Sequence, residues 1–278
     1  MTIEEIAELL RLAPGFKSEE LLDGAFASLL HGPSVELDDL RQYQGFDSIR
    51  DIDWRASARY DQLVVRRMLA EKKARVLVIM DHGERFLGDT RKHVKKSEVA
   101  MDIAKCLLVF ATRQSCDIAF LYGRDDRFEM SRFYSSLSMG NQEIGSLESV
   151  IEAETSLKLD DLVDHVVAQM QRKMIVFVVS DLKGLMEMET GHLLAGRHDV
   201  LYAMVDDGFA CDADAYLLDK RGNASSLLFF SKKLREAEAS YREKLEKQVE
   251  KKMSGRGFAR MEGKDLAKDM RRLLERKQ

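Results

Sequence analysis

Four short stretches of this chain are apolar without a break: "VLVIM" at 76–80, "IAFLY" at 118–122, "MIVFVV" at 174–179 and "VLYAMV" at 200–205. A strand wet on one face alternates polar and apolar residues, whereas a strand buried on both faces does not. Segments with helical spacing lie between these runs, the clearest being Lys95 to Gln114 with Val99, Ile103, Leu107 and Phe110 on one face. Parallel strands need long crossovers, usually helices. The pattern therefore predicts an α/β fold, a mostly parallel sheet with helices on both faces. Three of the runs lead into an acid: Asp81, Asp181 and Asp206, the last followed by Asp207. In such sheets ligands collect at the C-terminal strand ends near a switch in strand order, so these acids mark the edge where function is expected.

The rest of the chain fills in around that sheet. Ile3, Ile6, Leu9 and Leu10 predict a first helix ending at Pro14-Gly15, and a second spans about 18–30 before Gly32-Pro33. "FEMSRFY" at 128–134 predicts a further strand, and helices follow at 144–153, 159–171 and 185–195. A hairpin is expected around Arg221-Gly222-Asn223, then a charged helix over 231–252, an interruption at "SGRGF" and a last helix over 264–276. This organises the chain as an N-terminal helical cap (1–31), an extension (32–73), the α/β domain (74–230) and a basic helical C-terminal segment (231–278).

With 278 residues, 45% hydrophobic and 33% charged, the chain can bury a large core and is neither disordered nor nucleic-acid-like in composition. Its net charge of −4 is unevenly spread: residues 231–278 hold 16 Lys and Arg against 9 Asp and Glu, and residues 1–230 hold 28 against 39. The basic segment interleaves Glu and Asp at helical spacing, which predicts a solvated helix face and no nucleic-acid arm. Cys106, Cys116 and Cys211 are odd in number and widely spaced, so neither disulfides nor a zinc site is expected, and a reducing cytoplasm fits. No stretch has the length and apolarity of a membrane span, and no export signal is read at the N-terminus.

Several chemistries are excluded by motif. There is no GxGxxG after a strand and no GxxxxGK[ST]; Ser180 lies in "VVSDLKG", not GxSxG; the six histidines show no HxH or HExxH spacing. His82, beside Asp81, is the histidine placed to make a pH-sensitive contact, although a solvent-facing loop position is the commoner case. No catalytic residue is assigned.

The most specific string is "ELDDLRQYQGFDSIRDIDWRASARYDQLVVRRMLAEK", Glu36 to Lys72. Within it stand Asp39, Leu40, Arg41 and Tyr43; Asp47, Arg50, Ile52, Asp53 and Trp54; and Ser57, Ala58 and Arg59. This order resembles the domain of unknown function 58 family, whose members lead from such a string into a von Willebrand factor A-like domain. The resemblance implies that fold, and it covers the chain more loosely from about residue 32 to the C-terminus. Arg41, Asp47, Arg50, Asp53, Trp54 and Arg59 read as a charge-assisted latch with Trp54 as apolar anchor, in preference to a catalytic cluster, because no nucleophile and base stand together. Members are commonly encoded beside MoxR-type AAA+ ATPases, so the resemblance also implies an adaptor or assembly factor working with such an ATPase.

Metal-binding von Willebrand A domains place Asp-x-Ser-x-Ser after the first strand, a Thr in a later loop and an Asp after a further strand. Asp81 and Asp181 match the two acids, but Gly83 and Arg85 stand where the serines would be, and Ser136 or Ser138 is the nearest candidate for the Thr. Mg²⁺ wants hard oxygen ligands, and a guanidinium beside the acids opposes it. No cofactor is expected on that count. Two arrangements remain open: Arg85 turns inward as a built-in cation between the acids, or the acids cap their own loops while Arg85 faces solvent. The favoured function is a non-enzymatic protein-interaction role, with Asp81, His82, Gly83, Arg85, Asp181 and Asp206 forming an acidic partner surface. The alternatives are a small-ligand protein or enzyme using the same edge, and a basic tail that contacts nucleic acid or an anionic membrane.

Overall fold

The computed structural model describes residues 1–12, 40–44, 52–60, 62–66, 74–206, 215–218, 224–228, 232–253 and 257–274. The expected helix at 18–30, the hairpin turn at 221–223, Cys211 and Asp207 lie outside them. Strands β1 (Leu40–Gln42) and β2 (Val64–Arg66) pair antiparallel, and the short helix α1 (Ile3–Leu12) precedes them while α2 (Trp54–Tyr60) lies between them in sequence. The central sheet contains β3 (Arg75–Met80), β4 (Asp117–Arg124), β5 (Arg127–Met130), β6 (Ile175–Asp181), β7 (Asp199–Val205) and, after the separate hairpin of β8 (Ala215–Leu218) and β9 (Ala224–Leu228), β10 (Gly257–Met261). Its order is β10-β7-β6-β3-β4-β5, parallel except for β5. The α/β class and the mostly parallel sheet are thus as the sequence predicts.

The apolar runs explain why this sheet is the core. Along β3, Val76, Val78 and Met80 face one side, where α3 (Lys96–Arg113), α4 (Leu137–Glu148), α1 and α9 (Leu266–Leu274) pack; Leu77 and Ile79 face the other. That second side is covered by α5 (Leu159–Gln169), α6 (Leu182–Glu187), α7 (Gly191–Arg197) and the last turns of α8 (Lys232–Lys252). Alternate side chains of one strand feed two cores, so neither face carries a polar register. Each fully buried aliphatic side chain contributes about 1.5–3 kcal/mol, so losing either helical layer would unfold the sheet.

The structure departs from the expected elements in four places. α4 begins at Leu137, earlier than the expected 144, because Ser136 caps it by accepting the Met139 amide at 3.4 Å. The single helix expected at 185–195 is two: Asp160 accepts from the Glu189 and Thr190 amides and the Thr190 hydroxyl, breaking the run before α7. The strand expected at 128–134 is shorter, at 127–130, with Tyr134 bridged separately to Ile118. The "SGRGF" interruption opens into β10, a parallel edge strand that alternates buried and half-buried residues.

Chain order along the sheet reverses at β3: the chain goes to β4 and β5 on one side, then returns to β6, β7 and β10 on the other. The C-terminal ends of β3 and β6 therefore flank a topological switch point.

Candidate functional site

At that switch point Asp81 continues the ladder, donating its amide to the Val179 carbonyl at 2.9 Å, while its carboxylate turns into the protein. Asp181, the last residue of β6, caps α6 by accepting the Gly184 amide at 2.8 Å. Arg85 lies between the two acids. Its Nη2 donates to both Asp81 oxygens, at 3.0 and 2.8 Å, and its Nη1 donates to Asp181 Oδ1 at 2.8 Å. Lys96 Nζ donates to the other Asp181 oxygen at 2.9 Å, and the Ser180 hydroxyl donates to Asp81 Oδ2 at 2.5 Å.

Local sequence sets this up. Gly83 takes φ 117° and ψ −177°, a left-handed setting that favours glycine, and opens a 3₁₀ turn over Glu84–Leu87. The turn brings Arg85 back over Asp81 four residues earlier. Gly184 leaves the room: a β-carbon there would stand 2.2 Å from Ser180 Oγ and 2.3 Å from Asp81 Oδ2.

Asp81 and Asp181 are each 1% exposed and Lys96 is 3% exposed. Burial pushes the Asp81 pKa up against the opposing pull of Arg85 and the Ser180 hydroxyl. Burial would also raise Asp181, but Lys96 and Arg85 together hold it below the ordinary carboxylate value. The two carboxylates in turn raise Arg85 above its usual pKa despite burial. His82 is pushed down to about 4, first by burial and then by Arg85. It is buried rather than solvent-facing, and its ring packs on the Gly123 backbone.

Above this network opens a cleft of about 300 Å³, walled by His82 to Arg85, by the loop and helix start at 154–160, and by Lys183, Gly184 and Glu187 of α6. The hydroxyl residues brought to it are Thr155 and Ser156. Ser136 caps α4 and Ser138 is exposed on that helix, and neither lines the cleft. The "TSL" at 155–157, between two helices at the strand edge, was the available signal.

Asp206 is also at the edge and 1% exposed, but it does not line the cleft. It accepts from the Arg91 amide and Nε, both at 3.0 Å, and Arg91 continues to Glu246 of α8. Arg260 of β10 joins Glu246 at 3.1 Å and Glu262 at 2.6 Å. The acidic partner surface expected from Asp81, Asp181 and Asp206 is therefore corrected: all three are buried and paired with Arg or Lys side chains. What faces solvent at the cleft is a mixed rim of Glu84, Glu154, Lys158, Lys183 and Glu187, with Arg85 partly exposed.

The latch expected in the extension is described only in part. Asp53 accepts the Arg55 and Ala56 amides at 3.0 and 2.9 Å, capping α2, and Arg59 is exposed. Trp54 is 63% exposed, so it is not the anchor that was expected. Asp47 and Arg50, and the side chain of Arg41, lie outside the described residues. Lys96 and Arg91 were missed. Lys96 stands in the first turn of α3, where the helix dipole disfavours a cation, and that misplacement was its signal.

The set of donors does not fit Mg²⁺. All four oxygens of Asp81 and Asp181 already accept from fixed donors, and a guanidinium fills the space between them. Among the described residues no three His, Cys, Asp or Glu side chains converge as metal ligands.

Among solved structures, the chain is similar to the conserved hypothetical protein BatB from Bacteroides thetaiotaomicron, with 11% identity and a TM-score of 0.41 over 73% of this chain and 100% of that one. It is also similar to proximal thread matrix protein 1 from the mussel byssus, with 12% identity and a TM-score of 0.36 over 50% of this chain and 39% of that one. Neither likeness is close enough to carry an argument. Among curated proteins none matches. The model of the family described as protein of unknown function DUF58 matches residues 39–214, more than half of the chain, and the chain belongs to that family.

Proposed function

We propose that this chain is a non-enzymatic interaction protein that meets a protein partner at the rim of the β3/β6 cleft. The observation that carries the reading is the closed network beneath the rim. Asp81, Asp181 and Ser180 are buried and spend their hydrogen bonds on one another, on Arg85 and on Lys96, which supports a structural role for them over a catalytic one. The exposed rim instead offers both signs of charge on a rigid support, which suits recognition by charge complementarity. The family resemblance makes a MoxR-type AAA+ ATPase the first partner to test. Cys106 and Cys116 are free and buried, which suits a reducing compartment. One observation favours a second reading, a small-ligand site: the cleft volume is at the lower end of ligand pockets.

Lys183 and Glu187 form an i,i+4 pair at 3.8 Å, both more than half exposed. Swapping them, Lys183→Glu with Glu187→Lys, keeps the pair attractive but exchanges the positions of its two charges on the rim. Affinity purification from cells that encode such an ATPase is expected to recover it with wild type and to lose it with the swap. Equal recovery by both moves the interface elsewhere; turnover of a small substrate by the purified chain alone overturns the non-enzymatic reading.

A further inference from the structure

We infer that Arg85 is the resident cation of the β3/β6 edge, standing where a divalent ion would otherwise be held, and that its side chain makes this edge blind to divalent ions. The inference goes beyond partner binding at the rim, and neither depends on the other. It starts from space: the guanidinium lies within 3.0 Å of both buried carboxylates, so no ion can bridge Asp81 and Asp181 while Arg85 is in place. Charge points the same way. Two carboxylates face two fixed cations, Arg85 and Lys96, and the cluster has no net charge left to attract a dication. A guanidinium does not lose its proton in proteins, so no ordinary change of pH empties the position.

The consequence is mechanical. The ends of β3 and β6 are tied by a bond within the chain, independent of the ion content of the surroundings. Removing Arg85 while supplying a hydroxyl at that position reverses both conditions. Asp81, Asp181, Ser180 and the new hydroxyl are then a set of hard oxygens with one uncompensated negative charge, the kind of site that takes Mg²⁺ or Mn²⁺. Gly184 preserves the room for the carboxylate, because no side chain enters from α6.

The test uses the full chain and Mn²⁺, whose free-ion electron paramagnetic resonance signal falls on binding. Wild type is expected to leave the signal unchanged at millimolar Mn²⁺, and Arg85→Lys likewise. Arg85→Ser is expected to deplete it, and Arg85→Ser combined with Asp81→Asn to restore it. Tenfold Mg²⁺ over its dissociation constant raises the Arg85→Ser melting temperature by about 4 °C and leaves wild type unmoved. Should Arg85→Ser fail to fold, Arg85→Gln, uncharged and closer in length, is measured in the same way. Mn²⁺ uptake by wild type that Asp81→Asn abolishes overturns the inference, and so does a folded Arg85→Ser or Arg85→Gln that takes up none. Loss of the rim partner in the Lys183/Glu187 swap has no bearing on either result.

Discussion

Gly184 is the tightest point in the site, and replacing it with alanine is a severe test of the geometry. The residue is in the first turn of α6 with no positive φ, so alanine's backbone preference alone favours the change by about 0.5–1 kcal/mol. Packing opposes it. The new β-carbon would stand 2.2 Å from Ser180 Oγ, 2.3 Å from Asp81 Oδ2 and 3.1 Å from Arg85 Nη1. None of these can step aside easily: Ser180 is on a central strand, and the Asp81 carboxylate is held by Arg85, Ser180 and the His82 amide. Overpacking of this kind costs about 1–3 kcal/mol, and separating the Ser180 hydroxyl from a buried carboxylate adds about 1–3 kcal/mol. After the gain in helix propensity, Gly184→Ala is expected to destabilise by about 1–5 kcal/mol, which lowers the melting temperature by about 2–20 °C. Urea denaturation gives the free energy directly. Gly145→Ala is the control: it is inside α4 with no atom within 4 Å of the new carbon, and should stabilise by about 0.5–1 kcal/mol. If Gly184→Ala is as stable as wild type while Gly145→Ala gains as expected, the close seat of Asp81 against α6 is wrong.

Two further perturbations probe the same edge. His82 has a folded pKa of about 4 against an ordinary 6.5, so between these values the unfolded chain binds a proton that the folded chain does not. Stability therefore falls as pH drops from 6.5 towards 4, by up to about 3 kcal/mol. His198 is shifted down as well and adds in the same sense, whereas Asp81, shifted up, acts oppositely. The contrast with His82→Gln isolates this histidine: the variant's free energy from pH 7 to 4.5 should fall less steeply, and parallel curves would contradict the buried neutral imidazole. Arg91→Ala leaves Asp206 with the residue 91 amide and a distant Arg260 at 3.9 Å. Because Arg91 is 38% exposed, the expected cost is about 2 kcal/mol, below that of breaking a fully buried pair. Limited proteolysis should also cut faster within 232–252, since Glu246 of α8 loses a partner; unchanged cleavage would show that this ion pair does not hold the helix.

The central sheet was legible because its strands are buried on both faces, and nothing but an apolar run survives there. β3, β4, β6 and β7 and the long helix α3 were all readable on that ground, as were the three acids at the edge. β10 was not. As an edge strand it carries Arg260 between Ala259 and Met261, and period two over five residues is hidden among charged helices. The site was legible as a position but only partly as chemistry. The sequence offers many Lys and Arg, and which of them turn inward depends on tertiary distance: Lys96 is 85 residues from Asp181 and Arg91 is 115 from Asp206. Trp54 misled because a lone tryptophan is usually placed inside, whereas here it is exposed on α2. The acids misled because formal charge counts carboxylates without their partners.

The account rests on the cleft rim being the surface where a protein partner is met. Hydrogen exchange of the full chain, alone and with a MoxR-type ATPase, the partner proposed, at high concentration, tests this most directly. Slowed exchange is predicted at 82–85, at 154–160 and at 183–188, the three walls of the cleft. Protection confined to α8 or to the hairpin of β8 and β9, with these three walls exchanging as in the free chain, would contradict it.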